Sequence, residues 1–190
     1  RVSRRFNISN DLVWIGSLGR LEPEKSFDLL LMAIAQLRKD ARKIHLIMIG
    51  DGSEKKHLEK LANDLDITNS VTFTGELPDA KNWLSALDIF CFTSKDEGLP
   101  NLILEAAVAS VPIISWRVPF NEEILCDRDT AILVEPGNIK DLMNSLVELI
   151  KSPELREKIG KAGRNHVIKN YSVKQSVQRM TTVYEEILGN

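Results

Sequence analysis

Short, continuously apolar segments alternate along this chain with longer segments whose apolar residues recur every three or four positions. Uninterrupted apolar runs of this length are typical of strands buried on both faces, as in parallel sheets. The longer segments have the spacing of amphipathic helices. The six predicted strands are Asp11–Leu18, Ile44–Ile49, Val71–Thr74, Leu87–Phe92, Val111–Ser115 and Ala131–Val134. We therefore predict an α/β fold, a Rossmann-like doubly wound parallel sheet of about six strands with helices on both faces.

Only helices are predicted after the sixth strand, over about Ile139–Lys151, Pro153–Lys169 and Val173–Leu188. The composition changes near Asn170-Tyr-Ser172, before the last of them. We assign residues 1–171 to one α/β domain and residues 172–190 to a C-terminal helix. The apolar face of that helix needs a partner surface.

Composition restricts the classes of function. With 190 residues, 43% of them hydrophobic, and charges of both signs, the chain is typical of one globular domain. A net charge of −2 provides no general attraction for nucleic acid. No apolar run reaches the roughly 18 residues of a membrane span, and we recognise no signal peptide. Two cysteines, Cys91 and Cys126, are expected to be buried, reduced thiols of a cytosolic protein.

Metal-binding patterns are weak. The sequences Asp64-Leu-Asp66 and Asp127-Arg-Asp129 both spell D-x-D, but we interpret them as a solvated helix end and an exposed turn. The three histidines have no ligand spacing. We therefore expect no metal.

The loop after the first strand carries two cations at the start of a helix. Gly19 permits close backbone approach, and Arg20 and Lys25 offer a planar fork and a point charge, both suited to phosphate. Taken alone, the two cations could equally be surface residues paired with Glu22 and Glu24.

Three further loops follow predicted strands. Gly50-Asp-Gly52 and Thr74-Gly75 are weak signals, since glycines at strand ends often only form turns. The loop after the fourth strand is more informative. There Glu97 and Glu105 flank Gly98-Leu-Pro-Asn-Leu102, where a helix begins. Its amides can bind an anion, although Glu105 could also simply face solvent on an amphipathic helix.

In a doubly wound sheet these loops meet at the carboxyl ends of the strands. One cleft would then carry two cations, a helix amino end and two carboxylates. Cations and amides suit a diphosphate, whereas carboxylates suit ribose or sugar hydroxyls. The combination predicts binding of a nucleotide diphosphate sugar.

At this point the residues resemble a known family, the family-4 retaining glycosyltransferases of GT-B fold, in their C-terminal donor-binding domain. Gly19-Arg-Leu-Glu-Pro-Glu-Lys25 resembles the family's G-R-L-x-x-x-K loop. Ile47-Met-Ile-Gly-Asp-Gly52 resembles its strand ending in G-x-G, and Val71-Thr-Phe-Thr-Gly75 its V-x-F-x-G strand. Glu97-Gly-Leu-Pro-Asn-Leu-Ile-Leu-Glu105 matches E-x7-E. Together, and in order, the four motifs are highly specific.

The resemblance implies a role for each matching residue. Arg20 and Lys25 would hold the diphosphate and stabilise the leaving group, with Glu97 at the transferred sugar and Glu105 at the ribose. The backbone of Gly98, Leu99, Pro100, Asn101 and Leu102 would face phosphate. The donor set also includes Gly19, Gly50, Gly52, Thr74 and Gly75. No metal or other cofactor is implied.

The resemblance also implies partners. A UDP-sugar is expected first and a GDP-sugar second, with a glycan or lipid-linked saccharide as acceptor. Residues 1–171 would be the donor domain of a hexosyltransferase-type enzyme for polysaccharide or lipopolysaccharide biosynthesis. An acceptor domain would precede Arg1, and the helix of residues 172–190 would pack on it. The domain alone would bind donor without turnover. A cytoplasmic protein, compatible with contact at the inner membrane face, is expected.

Two departures from the family pattern qualify these expectations. Ser26 stands where the family usually has glycine. The segment from Ser115 to Leu125 lacks the usual glycines, and Trp116 and Phe120 are bulky, so the wall from Trp116 to Glu123 should alter the sugar pocket.

The competing hypothesis is a non-catalytic binding or interaction module of the same fold. The presence together of Arg20, Lys25, Glu97 and Glu105 argues against it. An epimerase or a phosphorylase would need acid–base residues or a lysine motif that we do not find.

Overall fold

The computed structural model of this chain describes residue 6 and residues 8–39, 43–78, 80–96 and 100–189. Its centre is a six-stranded parallel sheet in the order β3-β2-β1-β4-β5-β6. This order confirms the predicted doubly wound fold, because the chain reverses its direction of travel through the sheet between β1 and β4. The strands are β1 (Val13–Leu18), β2 (Ile44–Ile49), β3 (Val71–Phe73), β4 (Ile89–Phe92), β5 (Ile113–Trp116) and β6 (Ile132–Val134).

Helices connect the strands and follow the last one. They are α1 (Phe27–Lys39), α2 (Lys55–Asp64), α3 (Asn101–Val108), α4 (Pro119–Glu122), α5 (Ile139–Lys151), α6 (Pro153–Asn170) and α7 (Val173–Leu188). Short 3-10 helices span Pro23–Lys25, Thr68–Ser70 and Ala80–Ala86. Pro119 lies at the start of α4, where a missing N–H costs least.

Alternate residues of the central strands feed two hydrophobic layers. Phe90 belongs to the layer beneath α3, whereas its neighbour Cys91 belongs to the layer beneath α1 and α5. Both side chains are fully buried. Since successive side chains of a strand point to opposite faces, the continuous apolar runs of the sequence correspond to a sheet covered on both sides.

The structure corrects two predictions in the connecting segments. Cys91 is buried, and burial raises the pKa of its thiol to about 12. Cys126 is exposed, so its predicted burial is wrong; it lies in the connection between α4 and β6 rather than in a strand. Asp127 does not lie in a simple exposed turn. It is half-buried, binds the Arg117 guanidinium at 2.5 Å and accepts a hydrogen bond from the Leu133 amide at 2.9 Å.

The C-terminal helix α7 differs from the rest of the fold. Each of its sixteen residues is described, and none of them is buried. Its large apolar side chains are exposed: Val173, Val177, Met180, Val183, Tyr184, Ile187 and Leu188. Among the described residues, no helix combines the length and the apolarity that a bilayer span requires.

Candidate functional site

The loops that follow β1 and β4 lie at the point where the strand order reverses. In open α/β sheets, ligands bind in the crevice outside the carboxyl ends of the strands at this point. The segment from Gly19 to Lys25 follows β1, and the described residues 93–96 and 100–105 follow β4. The sheet therefore places the two most informative segments of the sequence beside one crevice.

A cleft of about 290 Å³ opens at this edge, and we call it the switch-point cleft. Four sequence-predicted residues line it: Gly19, Arg20, Gly50 and Leu102. Arg20 is exposed. The other walls are apolar except for two carboxylates; they are formed by Leu18, Ile49, Leu77, Ala80, Asp51 and Glu76. Apolar walls with a few polar groups are typical of small-molecule sites.

Two of the predicted glycines are required by close packing between loops. A Cβ on Gly50, whose φ is 139°, would lie 1.9 Å from the Gly19 carbonyl oxygen. A Cβ on Gly52 would lie 2.5 Å from the Leu21 carbonyl oxygen. Any side chain at either position would separate the loops after β1 and β2. These glycines therefore shape the cleft through backbone contact.

Backbone hydrogen bonds join the same loops. The Gly19 amide donates to the Ile49 carbonyl at 3.0 Å, and the Leu21 amide donates to the Asp51 carbonyl at 2.9 Å. On the far side, the Gly50 amide donates to the Gly75 carbonyl at 3.0 Å. The first three strand ends thus form a continuous rim.

Thr74 belongs to this rim but is not among the residues lining the cleft. Its hydroxyl donates to the Gly75 carbonyl at 2.8 Å, which closes the end of β3. The predicted pair Thr74 and Gly75 therefore supports the rim, and Gly75 adopts a positive φ of 68°.

Lys25 belongs to the segment after β1 and contacts the loop after β4. Its Nζ is 3.3 Å from the Ser94 hydroxyl oxygen, and its Cε is about 4.0 Å from where a Cβ on Gly19 would stand. Its carbonyl accepts a hydrogen bond of 2.7 Å from the Thr93 hydroxyl. The structure thus brings this cation to the switch point, beside the glycine that precedes Arg20.

Helix α3 places its predicted residues in two depressions. Pro100 and Asn101 begin the helix, and Leu102 lines the switch-point cleft. Glu105, one turn later, is half-buried and lines a second depression of about 580 Å³ with Asn82, Ser85 and others. The structure therefore does not place Glu105 in the same depression as Arg20. Glu97, Gly98 and Leu99 lie outside the described residues.

Besides the strand residues Leu18 and Ile49, sequence reasoning missed four residues that line the cleft: Asp51, Glu76, Leu77 and Ala80. Asp51 was visible as the middle of Gly-Asp-Gly, but its carboxylate binds Lys55 at 2.6 Å and the Gly52 amide at 2.9 Å. The Lys55 ammonium is the main cause of the lowered pKa of Asp51. The other three follow Gly75, and no local pattern marked them as neighbours of β1.

The segment after β5 was expected to form the opposite wall of the sugar pocket. Trp116 is instead fully buried in the core beneath α5, so it cannot be a pocket wall. The physical reason is the strand alternation, which places this residue of β5 on the sheet face that α5 covers. Asn121 is also fully buried and donates from Nδ2 to the Ser115 hydroxyl at 2.7 Å. Glu123 is exposed.

Within the described part of the chain, no group of three or more histidine, cysteine, aspartate or glutamate residues could hold a metal ion. The acidic residues near Arg117 are instead bound by that guanidinium. It contacts Asp127 at 2.5 Å, Glu135 at 3.1 Å and Glu122 at 3.2 Å. This cluster joins the loops after β5 and β6.

Comparisons with known proteins bear on the family and the fold of this chain. Residues 2–166 match the family model described as glycosyl transferases group 1. The lipopolysaccharide core biosynthesis glycosyltransferase LpsE of Rhizobium meliloti is 28% identical over 174 residues, which are 92% of this chain and 49% of LpsE. The chain spans about half the length of the relatives that it matches.

Solved structures share the fold. The Anabaena protein Alr3699/HepE, in complex with UDP, superposes with a TM-score of 0.89 at 21% identity, over 97% of this chain and 51% of that one. The C-terminal domain of the glycosyl transferase group 1 family protein LpcC from Francisella tularensis superposes with a TM-score of 0.80 at 26% identity. That match covers 90% of this chain and 91% of the LpcC domain.

Proposed function

Because this chain belongs to the glycosyl transferases group 1 family, we propose that it is the donor-binding half of a retaining glycosyltransferase. The donor is a nucleotide diphosphate sugar, and the acceptor is a glycan or a lipid-linked saccharide. The observation that carries the proposal is the switch-point cleft, where apolar walls adjoin the cation Arg20 and where Lys25 is held beside Gly19.

The cleft supports a definite orientation of the donor. Leu77, Ala80 and Leu102 offer flat apolar surface to a nucleobase, and Arg20 lies on the same cleft for the phosphates. Lys25 extends the cationic side toward the loop after β4. Guanidinium and ammonium groups stabilise the negative charge that develops on a departing diphosphate. The same two cations make a metal ion unnecessary, and no other cofactor is proposed.

Residues after β4 complete the proposed site. The amino end of α3, near Pro100 and Asn101, offers N–H groups that have no acceptor within the helix. Glu97 would contact the transferred sugar, and the backbone of Gly98 and Leu99 would face phosphate. Glu105 would bind ribose hydroxyls from the second depression, which it lines three residues after the cleft residue Leu102.

The proposed enzyme contains more than these residues. The known relatives are about twice as long as this chain, and GT-B enzymes place their acceptor in a second domain. We propose that the exposed apolar face of α7 packs on that N-terminal domain. A UDP-sugar is the first candidate donor, which the UDP complex of the similar HepE structure supports, and a GDP-sugar is the second. The name of LpsE, a lipopolysaccharide core biosynthesis glycosyltransferase, supports a saccharide acceptor. A cytoplasmic location at the inner membrane face is part of the proposal.

Calorimetric titration with UDP, GDP, ADP and their sugars tests the proposal. Replacing Arg20 and Lys25 together by alanine should weaken binding of the preferred diphosphate by at least about tenfold, the contribution of one hydrogen bond to a charged group. Lys43→Ala is the matched control. Lys43 is an exposed lysine at the opposite end of β2, where it pairs with Asp11. If no nucleotide binds while the fold is intact, the proposed donor site is wrong.

The alternative is a non-catalytic nucleotide-sugar-binding module. It predicts binding without transfer in the protein that carries the acceptor domain. Glu97→Gln separates the two functions. A transferase should lose transfer and keep UDP-sugar binding, whereas a binding module has no transfer to lose.

A further inference from the structure

Three consecutive residues after β4 contact the segment that carries Lys25. They are Thr93, Ser94 and Lys95, and we call them the 93–95 clamp. The Lys95 amide donates to the Glu24 carbonyl at 2.9 Å. The Thr93 hydroxyl donates to the Lys25 carbonyl at 2.7 Å. The Ser94 hydroxyl lies 3.3 Å from the Lys25 ammonium. The clamp therefore contacts Lys25 through both its main chain and its charged end.

The chemistry of the groups fixes the direction of the contact at Ser94. A lysine ammonium only donates, so the Ser94 oxygen must accept from Lys25. The single hydroxyl proton is then directed to the Asp96 carbonyl, 3.1 Å away. Both clamp hydroxyls are shielded from water, since Thr93 and Ser94 are each 2% exposed. Because the Ser94 proton is directed to the Asp96 carbonyl, the lone pairs of the Ser94 oxygen remain to accept from Lys25.

We propose that Ser94, supported by Thr93, is a positioning residue that holds the Lys25 ammonium in the orientation in which it meets a nucleoside diphosphate. This inference rests on the proposed function of the cleft. A lysine side chain that makes no contacts has a flexible four-carbon stem, and it loses conformational entropy when a ligand immobilises it. The Ser94 contact restricts that freedom before the ligand arrives, which raises affinity by preorganisation.

The end of β4, where the clamp begins, is held by hydrogen bonds from neighbouring residues. The carbonyl of Phe92, the last residue of β4, accepts a hydrogen bond of 3.1 Å from the buried Ser115 hydroxyl. That hydroxyl in turn accepts from Asn121 Nδ2 at 2.7 Å. The clamp thus begins on a strand end that hydrogen bonds from the β5 side hold in place.

The experiment measures affinities for UDP, GDP and ADP and for the nucleosides uridine, guanosine and adenosine in the same variants. Ser94→Ala should weaken binding of the preferred diphosphate by about three- to tenfold, the range of one net hydrogen bond, and leave the nucleoside affinity unchanged. A general distortion of the cleft would weaken both. Ser94→Thr retains the hydroxyl and should restore diphosphate affinity.

A double-mutant cycle assigns the effect to Lys25. In a Lys25→Ala background, Ser94→Ala should cause no further loss. An equal loss in both backgrounds would overturn the inference, as would unchanged diphosphate affinity in Ser94→Ala. If Ser94→Ala fails to fold, the nearly isosteric Thr93→Val must still lower diphosphate affinity selectively. An unchanged affinity in Lys25→Ala itself would instead contradict the proposed role of this lysine in donor binding.

Discussion

Replacing Ser26 by glycine should stabilise this protein, because the native serine has two unfavourable features. Its backbone is left-handed, with φ 52° and ψ 39°, which costs an L-residue about 1–2 kcal/mol. Its side chain is buried, and the hydroxyl oxygen has no hydrogen-bond partner among the described residues. An unsatisfied buried hydroxyl costs about 1–3 kcal/mol.

Glycine removes both features but introduces an opposing effect. Its unfolded chain is more flexible, which costs about 0.5–1 kcal/mol relative to alanine. The expected net change is a gain of about 1–4 kcal/mol in the free energy of unfolding. For a chain of this length, each kcal/mol raises Tm by about 2–4 °C. Urea unfolding at constant pH, with thermal unfolding beside it, measures the change.

Two variants separate the contributions. Ser26→Ala removes the hydroxyl and keeps the left-handed backbone, so it should recover only the part that comes from the hydroxyl. Ser110→Gly relieves a similar φ of 61° at a half-buried position and should recover only the part that comes from the backbone. A Ser26→Gly variant that is neutral or less stable than the native protein would refute this reasoning.

Three further variants test other parts of the structure. Gly160→Ala should destabilise by about 1–3 kcal/mol in urea unfolding, the usual cost of overpacking, because the new Cβ would lie 2.1 Å from the Ser110 carbonyl oxygen. Burial lowers the pKa of His45 below 6.5, so stability should fall as pH drops below 6.5, where only the unfolded state takes up the proton. His45→Gln should reduce that slope between pH 7.5 and 5.5. Arg117→Met should cost about 1–2 kcal/mol at pH 7, because Asp127 loses its cation, and less near pH 3.

Each of these predictions has an outcome that contradicts it. Gly163→Ala is the control for Gly160, since its nearest atom would be 3.0 Å away, and equal losses would argue against the close contact. An unchanged pH slope in His45→Gln would assign the effect to other groups. For Arg117→Met, the way the stability loss depends on pH follows from the pKa of Asp127. Burial raises the pKa of this carboxyl, but the Leu133 amide and Arg117 together lower it below 3.8. The resulting stability is present above pH 3.8 and is lost as pH falls further, so a loss equal at pH 7 and pH 3 would contradict the ion-pair argument.

The sequence by itself determined the elements of this fold and most of the loops at its crevice. Apolar runs and helical spacing depend only on which residues are buried, so they mark strands and helices without knowledge of their partners. Gly50 and Gly52 were weak signals by themselves and entered the predicted site through the family resemblance, whereas their close backbone contacts appear only in the structure. Arg20 and Lys25 were singled out because two cations at a loop and helix start suit phosphate, and the other loops and the family resemblance then favoured that role over surface pairing.

Only the tertiary structure decided how these parts face one another. Local periodicity does not record which distant strands become neighbours, so it could not place Leu77 and Ala80 beside the end of β1. The direction of a hydroxyl depends on the nearest acceptor, and Thr74 is satisfied by its own strand end. Trp116 faces the core because β5 turns it inward, and Glu105 faces a second depression because α3 packs against the 3-10 helix of Ala80–Ala86. Ser94 and Lys25 are 69 residues apart in the chain, and they come into contact only when β1 and β4 pair.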